Sequence, residues 1–164
     1  MTEKIIIIDT KEYYTYATVS EANDYFAASF ASEWSEVSET DKPKLLVTAT
    51  RLIDKKNYQG EKVDEEQHLK FPRIIADEQT DDELVMEACC ELAMSLYFDG
   101  DSSSINGINM KSVQSVSLGD SSISFKDGAN LESDQDAIID DYLSDYLMGG
   151  VQVILWRYKM LMQH

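Results

Sequence analysis

Four consecutive isoleucines, Ile5 to Ile8, lie between Lys4 and Asp9. Their β-branched side chains are stiff at χ1 and suit a pleated surface, so residues 4–8 are predicted to form a strand, and the strand needs a partner. After Tyr13-Tyr14-Thr15-Tyr16-Ala17 the apolar spacing changes to that of a helix. Thr18 is its expected N-cap, with Glu21 completing a capping box and Val19, Ala22, Phe26 and Phe30 sharing the buried face. A second helix is expected to start near Ser38 to Asp41, with Pro43 in the tolerated first turn and a core stripe of Leu45, Ala49, Leu52 and Ile53.

Residues 57–79 lack helical periodicity and contain Gly60, the Phe71-Pro72 step and the charged stretch Glu61-Lys62-Val63-Asp64-Glu65-Glu66, so they read as a long acidic loop. A third helix follows, with Thr80 and Glu83 as a second capping box and Val85, Ala88, Cys89, Leu92 and Leu96 as its apolar face. Gly100 is the expected terminator.

From Gly107 the period falls to two. Small polar and apolar residues alternate on both sides of Gly119-Asp120, predicting a β-hairpin at about 111–126 with Val116, Leu118, Ile123 and Phe125 on one surface. A fourth helix is predicted from about Asp134 to Met148, capped by Ser133, with Ile139, Leu143 and Tyr146 on one face and Gly149-Gly150 ending it. The segment 151–164 is apolar and strand-like. The fold class is therefore mainly α (α+β): a small bundle of about four helices, a β-hairpin and strand-like ends, organised as a domain over 1–150 and a docking tail over 151–164.

Charge narrows the function. The 164 residues carry 14 Lys+Arg and 31 Asp+Glu, a formal net charge of -17, which repels phosphate and disfavours any binding mode that depends on a basic groove. The N-terminal apolar run is too short for a signal peptide or a membrane span, so a cytosolic chain without a membrane partner is expected. Cys89 and Cys90 are adjacent, a spacing that suits neither a disulfide framework nor a CxxC pair, and read as small apolar helix residues.

Candidate chemistry is sparse. His68 and His164 are the only histidines, and no HExxH, GxGxxG, P-loop or GxSxG motif occurs. Gly119-Asp120-Ser121-Ser122 superficially resembles a hydrolase motif but sits where a hairpin must turn. Asp99 to Ser104 offers closely spaced oxygens like a calcium loop, yet Ser104 replaces the turn glycine and Met110 the bidentate acid. No catalytic residue, cofactor or metal is expected.

The apolar segments point instead to interaction. Val153, Leu155, Trp156, Arg157 and Tyr158 are of types suited to an interface core, and either complete the protein's own sheet or dock on a partner. Ile6 and Ile8 carry the same pair of readings, because an unpaired edge invites strand addition.

Tyr16-Ala17-Thr18-Val19-Ser20-Glu21-Ala22-Asn23-Asp24-Tyr25-Phe26, Lys44-Leu45-Leu46-Val47-Thr48-Ala49-Thr50-Arg51-Leu52-Ile53-Asp54, Tyr58-Gln59-Gly60-Glu61-Lys62 and Phe71-Pro72-Arg73, continuing through Val85 to Ala93 and Lys111-Ser112-Val113, resemble a family of tailed-bacteriophage head-to-tail connector proteins. Some relatives carry the label "putative DnaT-like ssDNA-binding protein". The resemblance spans roughly residues 14–125 and rests on the order and spacing of these segments. It implies a structural virion protein, assembled in the host cytoplasm as a homo-oligomeric ring beneath the portal protein. Such a ring joins the head to the next neck or tail-completion protein, and double-stranded DNA passes through its channel without tight binding. An acidic wall would suit that passage.

The second label implies single-strand binding, which needs cations beside stacking aromatics. Tyr13, Tyr14, Tyr16 and Tyr58 could stack, and Arg51, Lys55 and Lys56 are near in sequence. The net charge opposes this reading and places the connector first.

Overall fold

The computed structural model describes residues 3–30, 32–102, 115–118, 121–124 and 134–149. The isoleucine strand β1 (Lys4–Ile8) finds its partner in β2 (Lys11–Thr15), an antiparallel hairpin in register Ile6 opposite Tyr13. Asp9 and Thr10 form the turn with φ of 48° and 72°, the pair of positive φ values whose twist matches the flanking strands. Alternation turns Ile6 into the core and packs Ile8 against it, leaving Ile5 and Ile7 exposed. Of the two readings of Ile6 and Ile8, the fold shows packing within their own chain: Ile6 is buried and Ile8 is partly buried against the core.

Helix α1 (Val19–Ala27) begins with the expected capping box: Thr18 Oγ1 accepts the Glu21 N–H, and the Glu21 carboxylate accepts the Thr18 N–H. Lys4 reaches the same carboxylate at 2.8 Å and ties β1 to α1. Burial pulls the Glu21 carboxyl upward, but Lys4 and the Thr18 bonds outweigh it and hold it below its usual range. Ala22 and Phe26 are buried as expected, while Phe30 is fully exposed. The helix ends at Ala27, so its period never reaches Phe30. Trp34, in the 3-10 turn Glu33–Glu36, covers Phe26 instead, with ring centroids 5.1 Å apart.

Ser38 opens α2 (Asp41–Lys55) by accepting the Asp41 N–H on its hydroxyl and the Lys42 N–H on its carbonyl. Leu46, Val47, Ala49, Thr50 and Ile53 are buried, with Leu45 and Leu52 half-buried beside them. The expected acidic loop contains a small sheet, β3 (Glu61–Lys62), β4 (Arg73–Ile75) and β5 (Glu78–Gln79), antiparallel in that order, while residues 63–72 are irregular as expected. Gly60 is required here: φ is +70°, and a Cβ would meet the Ile74 carbonyl oxygen at 1.9 Å. Buried Gln67 holds the acidic stretch in place, accepting from the Asp64 N–H and donating to the Leu69 and Pro72 carbonyls.

Helix α3 (Asp82–Ser102) departs from expectation at both ends. Asp81 Oδ1 accepts the Glu83 N–H and replaces the predicted Thr80–Glu83 box, because the Thr80 hydroxyl is occupied by the Arg73 N–H. The helix also continues through Gly100 to Ser102, so the first four residues of the calcium-like stretch are helical. Val85, Ala88, Cys89, Cys90, Leu92, Ala93 and Met94 are buried, more than one face, because α2 and α4 (Asp134–Leu143) both pack on α3.

The predicted hairpin is present as β6 (Ser115–Leu118) and β7 (Ser121–Ser124), with Val116 opposite Ile123 and Leu118 opposite Ser121. Helix α4 buries Ile139 and Leu143 but stops five residues short of the expected end, giving way to a 3-10 turn at Ser144–Tyr146. There the chain pairs with the start of the small sheet: Leu147 bridges Tyr58, Gln59 N–H donates to the Tyr146 carbonyl, and Met148 N–H to that of Asn57. The Ser133 cap, Phe125 and the tail residues Val153, Leu155, Trp156, Arg157 and Tyr158 lie outside the described residues. The architecture is thus the expected α+β fold, with four α-helices and small antiparallel sheets among the described residues.

Candidate nucleic-acid interface

Burial of one side of α2 defines what the other side presents. Lys44, Thr48, Arg51 and Lys55 are exposed at spacings of 4, 3 and 4, one line along the helix of about 16 Å at 1.5 Å per residue. Thr48 spends its hydroxyl on the Lys44 carbonyl (2.8 Å) and adds no charge. Among the described residues none of the three cations is in an ion pair. Asp41, also exposed on α2, stands one turn beyond Lys44 at the N-terminal end.

The hairpin sets an aromatic ring beside this line. The Arg51 guanidinium lies 5.7 Å from the Tyr13 ring centroid and the Lys11 ammonium 5.4 Å from it, cation–π distances that hold ring and charges together. Tyr13 is half-buried against the core.

Asp54 could have cancelled the stripe, being one residue from Lys55, but it faces inward. Its carboxylate accepts the Tyr16 hydroxyl and, at 3.3 Å, the Lys70 N–H; the Phe71 N–H in turn donates to the Tyr16 oxygen at 3.2 Å. Burial pushes the Asp54 carboxyl up from its ordinary value, against the lowering effect of the Tyr16 bond. Burial and the same carboxylate push the Tyr16 hydroxyl well above the usual tyrosine range.

The structure therefore sorts the sequence candidates. Arg51, Lys55 and Tyr13 come together on one surface, joined by Lys11 and Lys44. Tyr16 and Tyr58 are core residues at 7% and 5% exposure, unable to stack on a ligand. Lys56 pairs with Asp136 at 2.6 Å. Tyr14 points to the opposite side of the hairpin and stacks on His68. Lys44 was missed by sequence reasoning, although the polar face left by the core stripe of α2 marks it.

Other chemistry is thin. The Cys89 thiol is pushed up to about 11 by burial and that of Cys90 higher still, which suppresses the reactive thiolate. Among the described residues no cluster of His, Cys, Asp and Glu is arranged to hold a metal ion. No described helix is long and apolar enough to cross a membrane.

No curated protein and no solved structure is significantly similar to the chain. One family model does match, over residues 6–158, nearly the whole length and all of the α2–β2 surface. The chain belongs to the family described as "Putative DnaT-like ssDNA binding protein".

Proposed function

We propose that this chain is a non-catalytic single-stranded-DNA-binding protein whose contact face is the exposed line of α2 together with Tyr13. The observation that carries the reading is the set of three unpaired cations in a row beside a ring already flanked by Arg51 and Lys11. A line of cations follows a phosphate backbone and an adjacent aromatic offers a face to any base, so recognition would be sequence-tolerant. Net charge makes the long-range force between chain and DNA repulsive, but contact affinity is set by the cations that displace counterions locally. Titrating a fluorescein-labelled 15-nucleotide oligothymidine and following anisotropy tests the proposal. Binding at 50 mM salt that weakens as salt rises supports it, and absence of binding at that salt sinks it.

A second reading, the ring-forming head-to-tail connector, draws on the sequence resemblance and on the acid excess. Away from α2, exposed Asp and Glu dominate residues 61–66, 77–83 and 141–145, a surface along which duplex DNA would slide without sticking. In that reading the basic line would meet a neighbouring subunit or the portal. Light scattering coupled to size exclusion, before and after mixing with a candidate portal, discriminates: a stoichiometric ring supports the connector, and a monomer that ignores the portal counts against it.

A further inference from the structure

Adjacent residues of a strand face opposite ways, so β2 places Tyr13 by α2 and Tyr14 on the outer face of the hairpin, opposite Ile5. There the Tyr14 ring stacks on the His68 imidazole, centroids 3.8 Å apart and planes 9° from parallel. Glu3 holds His68 twice, one carboxylate oxygen accepting the His68 backbone N–H at 2.6 Å and the other 2.8 Å from Nδ1. The pair belongs to no part of the core, and the His68 side chain remains 55% exposed. Ile5 and Ile7, 42% and 65% exposed, share this face of the hairpin. Two flat rings fixed in advance beside apolar side chains make a platform for a third flat ring, and every nucleobase has one.

The position of the stack links it to α2. Among the described residues no further strand is hydrogen-bonded to β2, so a polymer crossing its outer edge passes from the neighbourhood of Tyr13 and Arg51 to that of Tyr14. We propose that the Tyr14–His68 pair is a base-stacking platform, a second contact for the same DNA single strand. The inference rests on the reading that α2 binds single strands. Contact with the base rather than the phosphate sets its signature: loss of the platform lowers affinity without changing salt dependence.

The full chain carrying His164→Ala, which leaves His68 the sole histidine, is titrated with the 15-nucleotide oligothymidine. Two readouts are followed: anisotropy of the labelled DNA, and the imidazole C–H resonances of His68 by NMR. The platform is supported if the His68 resonances shift with saturation and if His68→Ala weakens binding about tenfold at an unchanged salt slope. Tyr14→Phe, which keeps the ring, should bind as the parent does. Should His68→Ala unfold, the resonance shift in the folded parent remains decisive. Tight binding with unmoved His68 resonances overturns the platform while the α2 reading stands. Absence of any binding at 50 mM salt removes the α2 reading, and the platform with it. A concentration-dependent dimer that Ile7→Glu converts to monomer would show the face covered by a second copy, and would also overturn the proposal.

Discussion

Helices α2 and α4 both pack on α3, and their inward sides are interchangeable in kind: Leu46 and Ile53 from one, Ile139 and Leu143 from the other, all buried. Their sequences outside that stripe carry opposite charge. Helix α2 has four basic and two acidic residues, with one of the acids turned inward, whereas α4 has four acids and no base. Ten of the chain's 14 basic residues precede residue 74, so the formal charge of -17 averages over faces that are chemically distinct. Beyond a Debye length, about 8 Å at physiological salt, the field of the net charge is largely screened; contact is governed by the residues on one line of one helix.

Reversing the charge of each helix in turn separates the two faces. Lys44→Glu, Arg51→Glu and Lys55→Glu together should weaken oligothymidine binding by at least about a hundredfold in the anisotropy titration at 50 mM salt, because they replace every counterion-displacing charge on the line. Reversal of Asp141 to Lys on α4 should leave affinity unchanged or raise it slightly. With three phosphate contacts the parent's log–log salt slope should be near −2, about fifteenfold between 50 and 200 mM salt. A gain from the α4 reversal as large, per unit of charge, as the loss from the α2 reversal would mean that the molecule's overall field, not the α2 line, governs binding.

The inward side of α2 is tested by Asp54. Asp54→Ala strands two donors, the Tyr16 hydroxyl and the Lys70 N–H, and should cost about 2–6 kcal/mol by urea unfolding, at roughly 1–3 kcal/mol for each buried unsatisfied group. Asp54→Asn keeps an acceptor oxygen at that position and does not titrate. Since the folded-state pKa of Asp54 is raised above its unfolded value, its titration contributes stability that is fully present below the unfolded pKa and is lost as pH rises through the folded one. The stability of the parent relative to Asp54→Asn should therefore improve as pH falls from neutral toward that window. A gap that stays constant with pH would show that Asp54 titrates alike in both states.

Regions also differ in how far their sequence reveals them, and the reason is range. The Thr18–Glu21 capping box was legible because every atom in it lies within four residues. Thr18→Ala should cost about 1 kcal/mol in the same unfolding assay. The similar pattern Thr80–Glu83 misled because its hydroxyl is claimed by Arg73, seven residues away and brought close by the small sheet. That sheet was itself invisible, since strands of two or three residues carry no period. The partner of β1 was hidden in Tyr13-Tyr14-Thr15, which does not alternate polar with apolar, behind a turn built on Asp9 and Thr10 rather than glycine. Three of the five residues of the candidate interface, Arg51, Lys55 and Tyr13, were visible as residue types. Their convergence was not, because it depends on the hairpin packing across α2.

Phe26 and Phe30 hold equivalent places in the apolar pattern of α1 and opposite places in the fold. They lie four apart, the spacing that puts two residues on one helical face, and periodicity alone assigns both to the core. Phe26 is 6% exposed and stacks on Trp34; Phe30 is fully exposed, three residues beyond the last residue of α1. A core phenylalanine truncated to a small side chain loses about 3–5 kcal/mol, whereas a surface substitution typically stays within about 0.5 kcal/mol. Phe30→Ser should therefore leave the urea midpoint essentially unchanged. A loss approaching the core value would mean that α1 extends past Ala27 in solution and carries Phe30 inward, restoring the periodic reading at the expense of the turn at Ala28 and Ser29.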